Sequence, residues 1–165
     1  MLILYRYFAA PLMLFLLPLA ALFNKKIAGG LKLRRQPQAF PEFSQRPVWI
    51  HAASGEFEYA KSLIRELKEM APQVPIVVTY FSPTYARNVK NFPGVDLALP
   101  LPLDLPGPVR TFLRRLNPRA LLLARTDLWP ELLIQARRKS IPTCVFSFTQ
   151  KSPSALGPLA KSFSR

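Results

Sequence analysis

The side chain best suited to chemistry in this sequence is a carboxylate, Glu56, in the stretch Val48-Trp49-Ile50-His51-Ala52-Ala53-Ser54-Gly55-Glu56. An apolar run over 48–53 breaks at Ser54-Gly55 and passes into a helical pattern. Glu56 therefore falls in the first turn of a helix that follows a strand, the edge where open α/β folds place their ligands. The helix macrodipole favours an ionised carboxylate at that position. Ionisation suits a group that must accept a proton, and limits its strength as a base. On spacing alone two readings stand, a general base or a cap for its own helix. Periodicity separates Glu56 from its neighbour. Glu56, Ala60, Leu63, Ile64 and Leu67 share a face directed at the sheet, whereas Glu58, Arg65 and Glu69 fall on the solvated side.

Other chemistries lack their parts. One histidine, His51, cannot assemble a zinc site, and no metal or cofactor is expected. The single cysteine, Cys144, excludes an internal disulfide and, lying in an apolar run, is expected to be a buried thiol. No Gly-x-Gly-x-x-Gly or Gly-Lys-Ser/Thr phosphate loop is present. Ser54 is not flanked as in a hydrolase nucleophile elbow.

The elements that must position Glu56 alternate regularly. Apolar runs at 48–53, 74–80, 95–99, 119–124 and 141–147 read as strands, and helical patterns at 56–70, 83–91, 107–117 and 128–139 separate them. Strands alternating with helices imply a parallel, Rossmann-like α/β sheet. Ser82 before Pro83, and Asp127 before Leu128-Trp129-Pro130, have the form of helix caps. Trp49 is expected in the core, and Trp129 in a turn above the sheet where it can line a cleft.

Residues 1–23 are apolar except for Arg6, Tyr5 and Tyr7, and about 20 such residues can just cross a bilayer as a helix. They are expected to form a hydrophobic membrane helix, spanning the bilayer or lying shallowly in one leaflet. Lys25, Lys26, Lys32, Arg34 and Arg35 follow and favour the cytoplasmic side. Residues 24–46 then read as a basic linker rich in Gly and Pro, leading to a domain over 47–165. The formal charge of +14 over 165 residues calls for a polyanionic partner: phospholipid headgroups, an anionic glycolipid or nucleic acid. Nucleic acid is not expected, because recognition motifs and an exposed aromatic platform are lacking. The clusters Arg110, Arg114, Arg115, Arg119 and Arg137, Arg138, Lys139 admit two readings, contact with anionic lipid or solvated helix faces.

In order and spacing, Leu4-Tyr5-Arg6, Pro47 to Glu56, Val78-Thr79-Tyr80-Phe81-Ser82-Pro83, Leu101-Pro102-Leu103-Asp104, Thr126-Asp127-Leu128-Trp129-Pro130 and Ile141-Pro142 resemble the N-terminal half of the Kdo transferases. These enzymes add 3-deoxy-D-manno-octulosonic acid to lipid A precursors in lipopolysaccharide biosynthesis. The resemblance implies the N-terminal half of a two-domain GT-B glycosyltransferase on the cytoplasmic face of the bacterial inner membrane. Glu56 would be its catalytic base, and Ser54, Gly55, Ser82, Asp127 and Trp129 would contact substrate. The acceptor would be a lipid A precursor. The donor CMP-Kdo would be held mainly by a C-terminal domain absent from these 165 residues, so that this chain alone is not expected to transfer sugar. A non-catalytic, membrane-tethered module binding anionic lipid or a partner is the alternative. Three departures from the family pattern stand out. Ser54 and Gly55 are adjacent where many members carry an extra residue, Arg125 replaces an acid, and Asp127 stands where many members have glutamate.

Overall fold

The computed structural model of the chain describes residues 5–148. Leu4 and the expected continuation of the domain over 149–165 lie outside the described residues. Five strands, β1 (Val48–His51), β2 (Ile76–Tyr80), β3 (Leu97–Pro100), β4 (Ala120–Ala124) and β5 (Thr143–Phe146), form one sheet of order β3-β2-β1-β4-β5. Every pairing is parallel, with Ile50 opposite Val78 on one side and Leu122 on the other. This is the strand order of a doubly wound α/β fold, in which the order reverses between β1 and β4 and opens a crevice beyond their carboxyl ends.

The pleat divides the apolar residues between two faces. Trp49, Val77, Leu121 and Leu123 pack against α5 (Pro106–Leu116) and α6 (Pro130–Arg138) through Phe112, Leu113 and Leu132. Ile50, Ile76 and Val78 pack on the other face with Phe57, Ala60 and Ile64 of α3 (Phe57–Met70) and with Val89 of the short α4 (Ala86–Lys90). A single 3₁₀ turn, Pro83–Tyr85, leads into α4. Ala60 and Ile64 are buried and Glu58, Arg65 and Glu69 exposed, as the periodicity predicts, whereas Glu56, Leu63 and Leu67 of the predicted stripe are only partly buried and Phe57, outside it, is fully buried. Asn117 ends α5 in the left-handed conformation (φ 43°), one that asparagine tolerates better than most residues.

The N-terminal region departs from expectation. After a π-type turn over Tyr5–Ala9, α1 runs only from Ala10 to Phe23, and α2 begins at Lys25 and ends at Arg35. Asn24 separates them by capping α2, its side chain accepting from the N–H groups of Lys26 (2.9 Å) and Ile27 (3.3 Å). The 14 residues of α1 span about 21 Å, short of the ~30 Å hydrocarbon core of a bilayer. No helix among the described residues is long and apolar enough to cross a membrane, so the expected spanning helix is not found. Much of the expected linker is helical, and α2 packs against α1. The hairpin is fixed to the domain. Tyr5 donates to Asp104 (2.6 Å), Arg6 pairs with Glu131 (3.0 Å), and Arg34 donates to the carbonyls of Leu101 (2.8 Å) and Phe81 (2.9 Å).

Cys144 corrects another expectation. It is exposed, on a strand that among the described residues pairs only with β4 and whose side chains are little covered.

Candidate active site

The turn after β1 is stitched to the turn after β2. The carbonyl of Ala53 accepts from the N–H groups of Phe81 (2.9 Å) and Ser82 (3.0 Å), and Ala52 donates to the Thr79 carbonyl (3.0 Å). The N–H groups of Phe57 and Glu58 then bond to the carbonyls of Ser54 and Gly55 and start the helix. Oε2 of Glu56 accepts from both the N–H and the hydroxyl of Ser54, each at 3.0 Å. The carboxylate thus caps the backbone two residues back with one oxygen, and Oε1 makes no hydrogen bond among the described residues. Partial burial, the largest single influence on Glu56, opposes its ionisation. The adjacent N–H dipole of Glu56 itself and the bonds from Ser54, together with the nearby Arg125 cation, outweigh it and hold the carboxyl below its ordinary range. Glu58, by contrast, is exposed and paired with Lys61 at 2.8 Å. Gly55 has no steric need to be glycine, since a Cβ there would meet only the Tyr85 hydroxyl at 3.4 Å.

The turn after β4 supplies Arg125, Asp127 and Trp129. Arg125 holds a left-handed backbone (φ 60°), a conformation costly for a non-glycine residue and concentrated at functional turns. Its guanidinium lies over the Tyr59 ring at 5.0 Å and donates to the Tyr59 hydroxyl at 3.3 Å. Asp127 does not cap α6. It reaches across the switch point instead, and Oδ2 accepts from the Ala53 N–H at 2.7 Å. Burial raises the Asp127 pKa, the Ala53 bond opposes this, and the Glu56 charge adds to the rise. The environments of the two carboxyls therefore push them apart, Glu56 toward ionisation and Asp127 toward retaining its proton. The cap of α6 comes from 27 residues away, where Asp104 accepts from Glu131 N–H (3.0 Å) and Leu132 N–H (2.9 Å). Ser82 likewise makes no side-chain cap, and its hydroxyl pairs with Thr84 at 2.7 Å.

Beneath both turns sits His51, fully buried. Trp129 Nε1–H donates to His51 Nε2 at 3.1 Å, so that nitrogen must be unprotonated. The proton belongs on Nδ1, which faces the hydroxyl (2.9 Å) and carbonyl (3.1 Å) of Thr79. The Thr79 hydroxyl also accepts from Trp49 Nε1–H at 2.8 Å. Burial pushes the imidazole pKa down to about 4. Asp127 Oδ2 lies 3.9 Å from Nε2, which with a neutral ring is neither a hydrogen bond nor an ion pair. His51 thus ties strand β2, through Thr79, to Trp129 in the turn after β4, and has no nitrogen free for proton transfer. Trp129 continues the stack outward onto Phe81 (5.0 Å between centroids), and Arg34 covers Phe81 at 4.3 Å.

The fold therefore brings Ser54, Gly55, Glu56 and Asp127 to the switch-point crevice, with Ser82 and Trp129 on its α1–α2 side. Sequence reasoning missed His51, Thr79, Arg34 and the Asp104–Glu131 pair. His51 is the last residue of β1, a position that could have marked it. Arg34 was hidden among five basic residues whose other four are exposed. No cluster of ligands able to hold a metal occurs among the described residues.

Comparison with known proteins bears on this arrangement. A family model described as 3-deoxy-D-manno-octulosonic-acid transferase (kdotransferase) matches residues 28–160. The 3-deoxy-D-manno-octulosonic acid transferase of Haemophilus influenzae is 37% identical over 97 residues, 58% of this chain and 23% of that protein. The protein of the same name from Bordetella pertussis is 34% identical over 108 residues, 61% of this chain and 25% of that protein. The one from Aquifex aeolicus is 37% identical over 91 residues, 53% and 24% of the two chains. The chain covers about a quarter of the length of each of these relatives. With residues 28–160 matched and a parallel sheet presenting Ser54-Gly55-Glu56 at its switch point, the chain belongs to the 3-deoxy-D-manno-octulosonic-acid (Kdo) transferase family.

Proposed function

We propose that residues 1–165 form the acceptor-binding side of a GT-B glycosyltransferase that moves Kdo from CMP-Kdo to a lipid A precursor in lipopolysaccharide biosynthesis. Glu56 is its base. The observation that carries this reading is the state of Glu56, which has one oxygen fixed by Ser54, the other without a partner among the described residues, and a charge favoured by its surroundings. In the reaction Glu56 takes the proton of an acceptor sugar hydroxyl as that oxygen bonds to the anomeric carbon of Kdo. The bond from that carbon to the CMP phosphate breaks, and CMP leaves with the electron pair. The ionised Glu56 is a modest base, so catalysis on this side rests on orienting the hydroxyl. Ser54, Gly55, Asp127, Ser82 and Trp129 line the acceptor's approach. Arg125 offers a cation beside the base, suited to a phosphate-bearing acceptor. The donor is held by a second domain, supplied by sequence beyond the quarter of the relatives matched here.

The membrane reading takes an in-plane form. Leu12, Phe15, Leu16, Leu19, Leu22 and Phe23 of α1 are 52–89% exposed, an apolar surface too continuous for water alone. Lys25, Lys26, Lys32 and Arg35 are exposed beside it. We assign this face to the cytoplasmic leaflet of the bacterial inner membrane, with α1 lying in the interface and the cations on anionic headgroups.

The test is a chain in which the donor domain of a Kdo transferase follows residue 165. Transfer of labelled Kdo to lipid A precursor in vesicles is expected from this chain, and its loss in Glu56→Gln with vesicle binding retained. Transfer that survives Glu56→Gln removes Glu56 from the mechanism. Vesicle binding with no transfer from the parent chimera supports the lipid-binding module instead.

A further inference from the structure

A cavity of about 220 Å³ lies between the α1–α2 hairpin and the strand-end loops, with Met13, Leu17, Leu31, Phe81, Leu103 and Trp129 in its wall. Its polar neighbours are already committed. Arg34 donates to the carbonyls of Gly30, Phe81 and Leu101 and lies on the Phe81 ring. Asp104 accepts from Tyr5, Glu131 and Leu132, and the Ser82 hydroxyl is paired with Thr84. What faces the space is therefore apolar surface, with one exception. Lys26 borders the cavity, is exposed, and its ammonium has no ion-pair partner among the described residues. The same helix that supplies Met13 and Leu17 to the wall turns its exposed leucines and Phe15 outward.

We infer that this cavity holds one acyl chain of a lipid whose anionic, phosphate-bearing head lies at Lys26. The inference rests on the proposed acceptor role and adds to it where the acyl part of the acceptor sits. Charge and apolarity both select an amphiphile over a free anion or a neutral hydrocarbon. Size selects a chain segment: an apolar cavity of ~150 Å³ takes the six carbons of benzene, so 220 Å³ takes roughly nine chain carbons. The consequence for the site runs through Trp129, which forms part of the cavity wall and also bonds to His51 beneath the Glu56 turn. A chain seated there fixes the lipid against the side chain that organises the crevice.

The experiment uses n-alkyl phosphates of 4 to 14 carbons, below their micellar concentrations, with binding read from tryptophan emission. Trp49 is fully buried in the core, so a change of signal is expected to come from Trp129 and to vanish in Trp129→Phe. Each added methylene is expected to tighten binding about fourfold, levelling off near nine carbons as the cavity fills. Lys26→Gln should weaken the phosphate series and leave an alkyl glucoside series unchanged. Leu17→Phe, filling part of the cavity, should flatten the chain-length dependence, and Leu31→Phe serves where Leu17→Phe does not fold. Affinity that keeps rising to 14 carbons means partition onto the helix surface and overturns the cavity assignment. Inorganic phosphate binding as tightly as hexyl phosphate means an anion site only, and overturns it equally. A plateau without Kdo transfer in the chimera upholds the cavity and refutes the function, whereas transfer without a plateau refutes the cavity alone.

Discussion

The chain has a single histidine, and its state can be read without assignment ambiguity. His51 is fully buried and its pKa is pushed from 6.5 down to about 4. Between those values the unfolded chain takes up a proton that the native chain refuses, so stability falls as pH drops from about 6.5 to 4. A shift of this size corresponds to about 3 kcal/mol of stability, present above pH 6.5 and lost progressively below it. The assay is an NMR titration of the imidazole, with urea unfolding across the same pH range in parent and His51→Gln. The expected results are a midpoint near 4, nitrogen shifts of the Nδ1–H tautomer, and an acid limb about 3 kcal/mol shallower in His51→Gln. A midpoint above 6, an Nε2–H tautomer, or parallel acid limbs in the two proteins would refute the assignment of His51 as a neutral connector.

Removing Arg6 deprives Glu131 of its cation, leaving a side chain 1% exposed with only Gln135 Nε2 donating to Oε1 (2.6 Å) and no partner at Oε2. Arg6→Ala should cost about 3 kcal/mol of unfolding free energy, most of it recovered when Glu131→Gln is added, and urea curves of the three variants decide the matter. Trp129→Phe keeps an aromatic ring against Phe81 but removes the donor to His51 Nε2, at an expected cost of about 1–3 kcal/mol. An unchanged melting midpoint would contradict the hydrogen bond. Glu56→Gln retains an acceptor for Ser54, and its unfolding free energy should change by less than about 1 kcal/mol, so that a large loss would make Glu56 chiefly a structural cap.

Strand and helix periods carried the sheet, and turn residues placed Glu56 at its edge. The ranges predicted for β1 to β5 and α3 to α6 agree with the observed elements to within a few residues, because periods of 2 and 3.6 are local properties. Capping was less legible. Asp127 and Ser82 carry the residue types of caps, yet α6 is capped by Asp104 from another loop, since only spatial proximity decides which acceptor reaches a free N–H. The apolar run over 1–23 is compatible in composition with a spanning or a shallow membrane helix, because composition does not register where a chain turns back, and the cap at Asn24 separates α1 from α2 there.

By itself the sequence determined the alternation of elements, the parallel sheet this implies, and a carboxylate in the first turn after β1. It also carried the ordered motifs that mark the family. Tertiary structure alone decided that His51 is a neutral connector between Thr79 of β2 and Trp129, that Asp127 serves Ala53 instead of its own helix, and that Arg34 points inward while its basic neighbours do not. The physical reason is common to all three. Burial and hydrogen-bond partnership depend on which loops meet at the switch point, and those partners lie 28 to 78 residues apart along the chain. Local propensity fixes what each element is, whereas the low dielectric and the donors at their meeting point fix what each polar side chain can do.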